Sequence, residues 1–127
     1  MKGRFLPLVA LVLAAPTGAV AGPMDKMLKK LAPEERAHQA CILRGFDIAQ
    51  KEKRLRGADR MKTSIFSRAL LQGTTLNAKG GAVRMKGHWY AMGFTCTLTD
   101  NFLKATTFSY DLGAEIGKKD WDRLGLW

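Results

Sequence analysis

Gly87-His88-Trp89-Tyr90-Ala91-Met92-Gly93-Phe94-Thr95-Cys96-Thr97-Leu98-Thr99 is the stretch that decides how this chain folds. Tyr90, Met92, Phe94, Cys96 and Leu98 are apolar, and the residues between them, from Ala91 onward, are small or hydroxylic. Successive side chains of a strand point to opposite faces, so this alternation predicts a strand with a buried even face and a lighter odd face. The stretch also holds one of the 2 cysteines in the chain, so a covalent tie to a distant element is able to start here.

Upstream, Lys79-Gly80-Gly81 reads as a break before Ala82-Val83-Arg84-Met85, and Lys86-Gly87 supplies a two-residue turn. That turn sets Val83 opposite Tyr90 on the inner face and Arg84 opposite Trp89 on the outer one. Downstream, Asp100-Asn101 marks the next connection. A two-residue loop there sets Phe94 against Thr107 and turns Phe108, Tyr110 and Leu112 outward. A three-residue loop ending at Phe102 instead pairs Phe94 with Phe108, Met92 with Tyr110 and Cys96 with Thr106, so the large apolar groups share one face. Burial favours the second, because a one-residue slip exposes a whole row.

The predicted strands are therefore Ala82 to Met85, His88 to Thr99 and Leu103 to Gly113, an antiparallel meander. Arg60 to Ser67 mixes β-branched, apolar and charged residues and is a candidate fourth strand. Arg68 to Thr75 reads equally as a loop or a short helical turn. Before these, Pro33-Glu34-Glu35 suits the first turn of a helix, where proline is tolerated and acids favour the positive end of the dipole. Ala37, Cys41, Ile42, Gly45, Ile48 and Ala49 recur at helical spacing, giving a helix from about Pro33 to Lys53 with Gly57 beyond its end. Lys119 to Leu124 reads as one or two helical turns with Trp121 and Leu124 on one side. The expected fold is α+β, a meander of three to four strands packed on one long N-terminal helix, with a short C-terminal helix.

The chain has 127 residues, room for one domain. Its start reads as a secretory signal over residues 1–21: Lys2 and Arg4, then an apolar run from Phe5 to Ala15, then Ala19-Val20-Ala21 before Gly22. That apolar run is well short of the ~20 residues that span a bilayer. The expected division is a signal peptide over 1–21, a flexible charged leader over 22–32 and a single domain over 33–127, with the product in the periplasm. Cleavage takes Lys2 and Arg4 from 21 basic residues set against 11 acidic ones, leaving a formal charge of +8. Export also decides how the cysteines read. In an oxidising compartment Cys41 and Cys96 most simply pair as one disulfide. A reactive thiol would want a local histidine or a Cys-x-x-Cys neighbour, and only His38, one helical turn before Cys41, comes near.

Catalytic signatures are absent: no Gly-rich phosphate loop, no Gly-x-Ser-x-Gly, no His-Glu-x-x-His and no Cys-x-x-Cys. The sequence names no cofactor, metal set or catalytic residue. His38 and His88 lie far apart, and read as a solvated helix position and a residue flanking a turn. Two regions stand as candidate binding surfaces. Lys51, Lys53, Arg54, Arg56, Arg60 and Lys62 would gather where the helix ends and the first strand begins, as an anion site or as cations answering the helix dipole. Arg84, Trp89, Thr95, Thr97, Thr107, Ser109 and Asp111 would occupy the outer sheet face, as a glycan or partner-strand platform or as an Arg84–Trp89 stack. Single-stranded nucleic acid asks for aromatics among the cations, and none lies between Phe46 and Phe66.

From Leu31 to Leu124 the chain resembles the secreted alphaproteobacterial family called domain of unknown function 930. The likeness rests on Ala40-Cys41, Asp59-Arg60, Gly80-Gly81-Ala82, Gly87-x-Trp89-Tyr90, Phe94-Thr95-Cys96-Thr97, Phe108-Ser109-Tyr110 and Trp121, in that order. The basic stretch from Lys51 to Arg56 and the Lys118-Lys119 pair are less typical of it. The resemblance implies a periplasmic setting and supplies no activity or site. The expected function is a non-enzymatic periplasmic domain that binds an anionic envelope component or a protein partner. The alternative is a small envelope hydrolase or metal enzyme using His88 with Asp111.

Overall fold

The computed structural model describes residues 23–127, so the stretch expected to be a signal peptide, 1–21, lies outside the described residues. Pro23–Lys29 forms helix α1, where a flexible leader was expected, and buries Leu28 against the core. Arg36 fixes this helix by donating from Nε to the Leu28 carbonyl (3.1 Å) and from Nη2 to that of Leu31 (3.2 Å), while its Nη1 reaches the carbonyl of Asn101 (3.0 Å). One guanidinium thus satisfies carbonyls at a helix end and pins the loop between the last two strands.

Helix α2 spans Pro33–Ala49, with proline at its start and Glu34 and Glu35 in its first turn. It stops before the expected Lys53. A 3-10 turn over Lys53–Leu55 follows and delivers Leu55 into the core, and Gly57 (φ 82°) then reverses the chain into the sheet. The residues of α2 that face the sheet are small: Ala37, Ala40, Cys41 and Gly45. At Gly45 even a Cβ would stand 2.7 Å from the Met61 sulfur, so the helix sits as close as its glycine permits.

The sheet has five antiparallel strands rather than three or four: β1 Ala58–Lys62, β2 Leu70–Gln72, β3 Thr75–Met85, β4 His88–Leu98 and β5 Ala105–Glu115. Their order is β1-β3-β4-β5, with β2 also paired to β3. Because β1 meets residues 82–85 and β2 meets residues 75–77, the two short strands lie end to end along one side of β3. Three expectations change here. The first strand is shorter than Arg60 to Ser67, the 68–75 stretch contains a strand and a turn, and Lys79-Gly80-Gly81 is a bulge inside β3 instead of a break. A Cβ on Gly81 would collide with the Lys62 carbonyl oxygen, and one on Gly80 with the Ser67 amide nitrogen. The glycines therefore let the chain between β1 and β2 pass directly over the bulge.

Lys86 (φ 54°) and Gly87 (φ 82°) form the expected tight turn, and Val83 pairs with Tyr90 and Arg84 with Trp89. The last hairpin keeps the expected face and shifts the pairing by two residues. Phe94 meets Tyr110, Met92 meets Leu112 and Cys96 meets Phe108. Asn101 sets the longer loop: its Oδ1 accepts from the Leu103 amide (3.0 Å) and the Thr99 hydroxyl (2.8 Å), and Thr99 N donates to Lys104 O (2.9 Å). An even shift preserves the side-chain phase, so Phe94 and Phe108 still stack, as diagonal neighbours, with ring centroids 4.6 Å apart.

Cys41 and Cys96 are joined as a disulfide between the middle of α2 and the even face of β4. The outer face departs most from expectation. Trp89, read as an open platform, is 0% exposed. Ile116 and Leu126, with half-buried Trp121 and Leu124, cover it from the chain that follows β5, and Ile65 completes the cluster. A 3-10 turn over Lys118–Asp120 and helix α3, Trp121–Leu124, build this cover; the helical turns were expected from the C-terminal pattern, their place over Trp89 was not. Apolar clusters therefore lie on both sides of the sheet, one under α2 and one under the C-terminal segment.

Candidate functional site: the groove beside the edge strand

A groove of about 890 Å³ runs along β1. One wall is the exposed side of α2, contributing Glu35, His38, Ile42 and Phe46; the other is the continuous run from Asp59 to Ser64, with Arg68 and Trp127 at its margins. Helical periodicity places Ile42 and Phe46 on one side of α2 and leaves both half-buried, an apolar floor between charged rims. His38 Nδ1 lies 2.8 Å from the Thr63 hydroxyl, and its Nε2 lies 4.0 Å from the Glu34 carboxylate one turn back. Ser64 Oγ accepts from the Ala69 amide (2.9 Å) and thereby shapes the bend that leaves β1.

Cations define the outer rim. Arg60 and Lys62, two residues apart on one face of β1, both lie over the ring of Trp127, at 4.8 and 4.3 Å from its centroid. Trp127 is 56% exposed, while Arg60 and Lys62 are half-buried against it. Asp59 is taken up by Arg84, which donates from Nε (2.9 Å) and Nη2 (2.6 Å) to its two carboxylate oxygens. That hydrogen bonding holds the Asp59 carboxyl below the usual carboxylate range. Arg84 Nη1 and Trp89 Nε1 both donate to the backbone oxygen of Trp127, at 2.8 and 3.1 Å, which locks the aromatic residue beside the groove.

The structure divides the predicted basic run. Arg60 and Lys62 belong to the groove, whereas Lys51, Lys53 and Arg56 line a second hollow of about 640 Å³ at the end of α2, together with Glu52 and Asp59. Arg54 turns to β5 and lies 5.2 Å from the Tyr110 ring centroid. Tyr110 donates its hydroxyl hydrogen bond to Glu52. Burial, then the Glu52 hydrogen bond and charge, push the phenol above its ordinary value. A raised pKa means that the fold favours neutral tyrosine. Its contribution to stability is intact below about pH 10 and is lost as pH rises from there through the folded pKa. In absorbance titrations of tyrosinate, Tyr110 should ionise later than a free tyrosine, and Glu52→Gln should move its midpoint back down; an unmoved midpoint would leave burial as the whole cause.

The predicted outer face is divided as well. Arg84 and Trp89 lie at the covered end, while Thr95, Thr107, Ser109 and Asp111 are exposed and Thr97 is half-buried. The hydroxyls largely satisfy one another: Thr97 is 2.5 Å from Thr107 and 2.8 Å from Thr106, and Thr95 donates to Asn77 Oδ1 (3.0 Å). His88 and Asp111 are not brought together. His88 pairs with Glu115 at 2.8 Å, while Asp111 sits opposite Gly93. Among the described residues no three His, Cys, Asp or Glu side chains group so as to hold a metal ion, and no helix is long and apolar enough to cross a membrane.

Sequence reading missed Thr63, Ser64 and Arg68 and set His38 down as a solvated helix position. The amphipathic spacing of Ile42 and Phe46 was visible, but nothing local says that they border a groove, since that depends on β1 ending at Lys62 as an outside strand. Trp121 and Leu124 on one side of a short helix did carry a signal, an apolar stripe that needs a partner, and Trp89 is that partner.

Neither a curated protein nor a solved structure matches the chain. Residues 28–126, which include both apolar clusters and most of the groove's lining, match the family described as Domain of Unknown Function (DUF930), and the chain belongs to that family.

Proposed function

We propose that this protein is an exported, non-enzymatic binding domain of the periplasm, and that it takes an anionic component of the cell envelope, lipid or protein, in the groove between α2 and β1. The observation that carries this reading is the cationic rim of that groove. Arg60, Lys62 and Arg68 border the groove at its outer rim; of the acids that also line it, Asp59 is engaged by Arg84, while Glu34 and Glu35 stand on the α2 wall. The formal charge of +8 after removal of residues 1–21 adds long-range attraction for such a partner. No observation favours the hydrolase or metal-enzyme alternative, since His88 faces Glu115 and not Asp111.

The test is retention of the purified protein on phosphatidylglycerol vesicles and on polyglutamate across a salt series. Retention on at least one probe is expected, falling steeply between low and physiological salt because exposed charges are screened. The variant R60E/K62E/R68E should lose it at every salt concentration. Retention on neither probe, or a triple variant that binds as the parent does, would overturn the reading.

A further inference from the structure

β1 is an outside strand of the sheet: β3 runs along one of its sides and, among the described residues, no strand runs along the other. Side chains in a strand alternate between faces, yet Arg60, Met61 and Lys62, the consecutive residues of β1 past the irregular pairing at Asp59, all border the same groove, as do Thr63 and Ser64 just beyond the strand. Consecutive residues share a hollow when the backbone edge, and not either face, bounds it. The groove therefore runs along the outside edge of β1 with a helix as its other wall, the arrangement in which extended peptides add to a sheet as a further strand.

A strand laid there inherits the alternation of β1. Its residues beside Arg60 and Lys62 fall on the outer face, next to two cations on the Trp127 ring. Its residue beside Met61 falls on the inner face, toward Ile42 and Phe46. Glu34 and Glu35 stand on the α2 wall and repel acids from the inner positions. Directly opposed cross-strand residues lie about 4.5–5.5 Å apart, close enough for ion pairs on one face and apolar contact on the other. We propose that the edge of β1 accepts an extended segment of a partner protein in which acidic and apolar residues alternate. This rests on the groove being the anion-binding site and names the class of its ligand.

The probe is a capped octapeptide of alternating valine and glutamate, measured by calorimetry against the purified protein. It should bind at least tenfold more tightly than a peptide with the same residues in two blocks, and more tightly than the valine–lysine alternation. Two N-methylated forms separate strand pairing from plain charge attraction. With methyl groups on the valine amides in one and the glutamate amides in the other, only the form whose unmethylated edge faces β1 should bind. In R60E/K62E the preference should pass to the valine–lysine peptide. The N-methyl comparison uses the parent protein, so a variant that misfolds does not blunt the test. Equal binding of the alternating and block peptides, or of both methylated forms, would sink strand addition. If polyglutamate or vesicles are then still retained through Arg60 and Lys62, the anion-binding reading survives alone; if nothing is retained, both fall.

Discussion

Replacing Cys41 and Cys96 together by alanine should lower the unfolding free energy by about 4 kcal/mol, the chain-entropy value for a loop of this size. The bridge spans a sequence separation of 55 residues, which include β1, β2, β3 and nearly all of β4. Its loss therefore frees most of the sheet in the unfolded chain. Against a total stability of about 5 to 15 kcal/mol for a domain of ordinary stability, the change is large enough to show directly in a urea titration. Reductant should produce the same shift in the parent protein, slowly, because both sulfurs are buried. Stability unchanged within about 1 kcal/mol in both the double variant and the reduced parent would mean that the noncovalent packing of α2 on β4 already does all that the bridge was expected to do.

Trp89→Ala should cost about as much, by a different route. Deleting a fully buried tryptophan removes a large apolar transfer term and leaves a cavity, together about 3 to 5 kcal/mol. Here the loss is directional. Trp89 is the centre of the outer cluster, and its indole N–H also holds the backbone oxygen of Trp127. Hydrogen exchange should therefore speed up most over residues 116–126, while α2 and the inner faces of β3 and β4 keep their relative protection. Trp89→Phe separates the two contributions: it retains most of the packing and loses the hydrogen bond, for a cost of about 1 kcal/mol. A Trp89→Ala protein with unaltered exchange in the C-terminal segment would show that the segment is held by Trp121 and Arg84 alone.

What was legible in the chain was local. Pro33-Glu34-Glu35 announced the start of α2, Lys86-Gly87 announced a hairpin with the correct pairing, and alternation from Tyr90 to Leu98 identified the buried face. The two cysteines found each other by elimination once export was read from the first residues. The misreadings concern relations between distant segments. Gly80-Gly81 looked like a break because glycine pairs usually are; here they give room to Lys62 and Ser67, contacts that no local pattern encodes. Trp89 was placed on the correct face, but exposure depends on a cover supplied by residues 116–126. The loop after β4 was drawn too short because the Asn101 turn and the Phe102 backbone (φ 60°) depend on one side chain's hydrogen bonds, which composition does not reveal. The groove was illegible for the same reason, being a property of where β1 stops and of what fails to pair with it.

The order of the strands also bears on how the chain reaches this structure. β2, β3, β4 and β5 are joined by successive hairpins, so each of these pairings closes only a short loop and is entropically cheap to begin. The sheet is able to zip outward from Lys86-Gly87 on the microsecond timescale of hairpins, before any thiol chemistry takes place. Docking of α2 and β1 then has to reach across the sequence, and it brings Cys41 to a Cys96 already held in a formed strand. The covalent link can in this sense be the last stitch, closing over a template that local contacts are able to lay down first, and with 2 cysteines in the chain its partner within the chain is the same whenever oxidation comes.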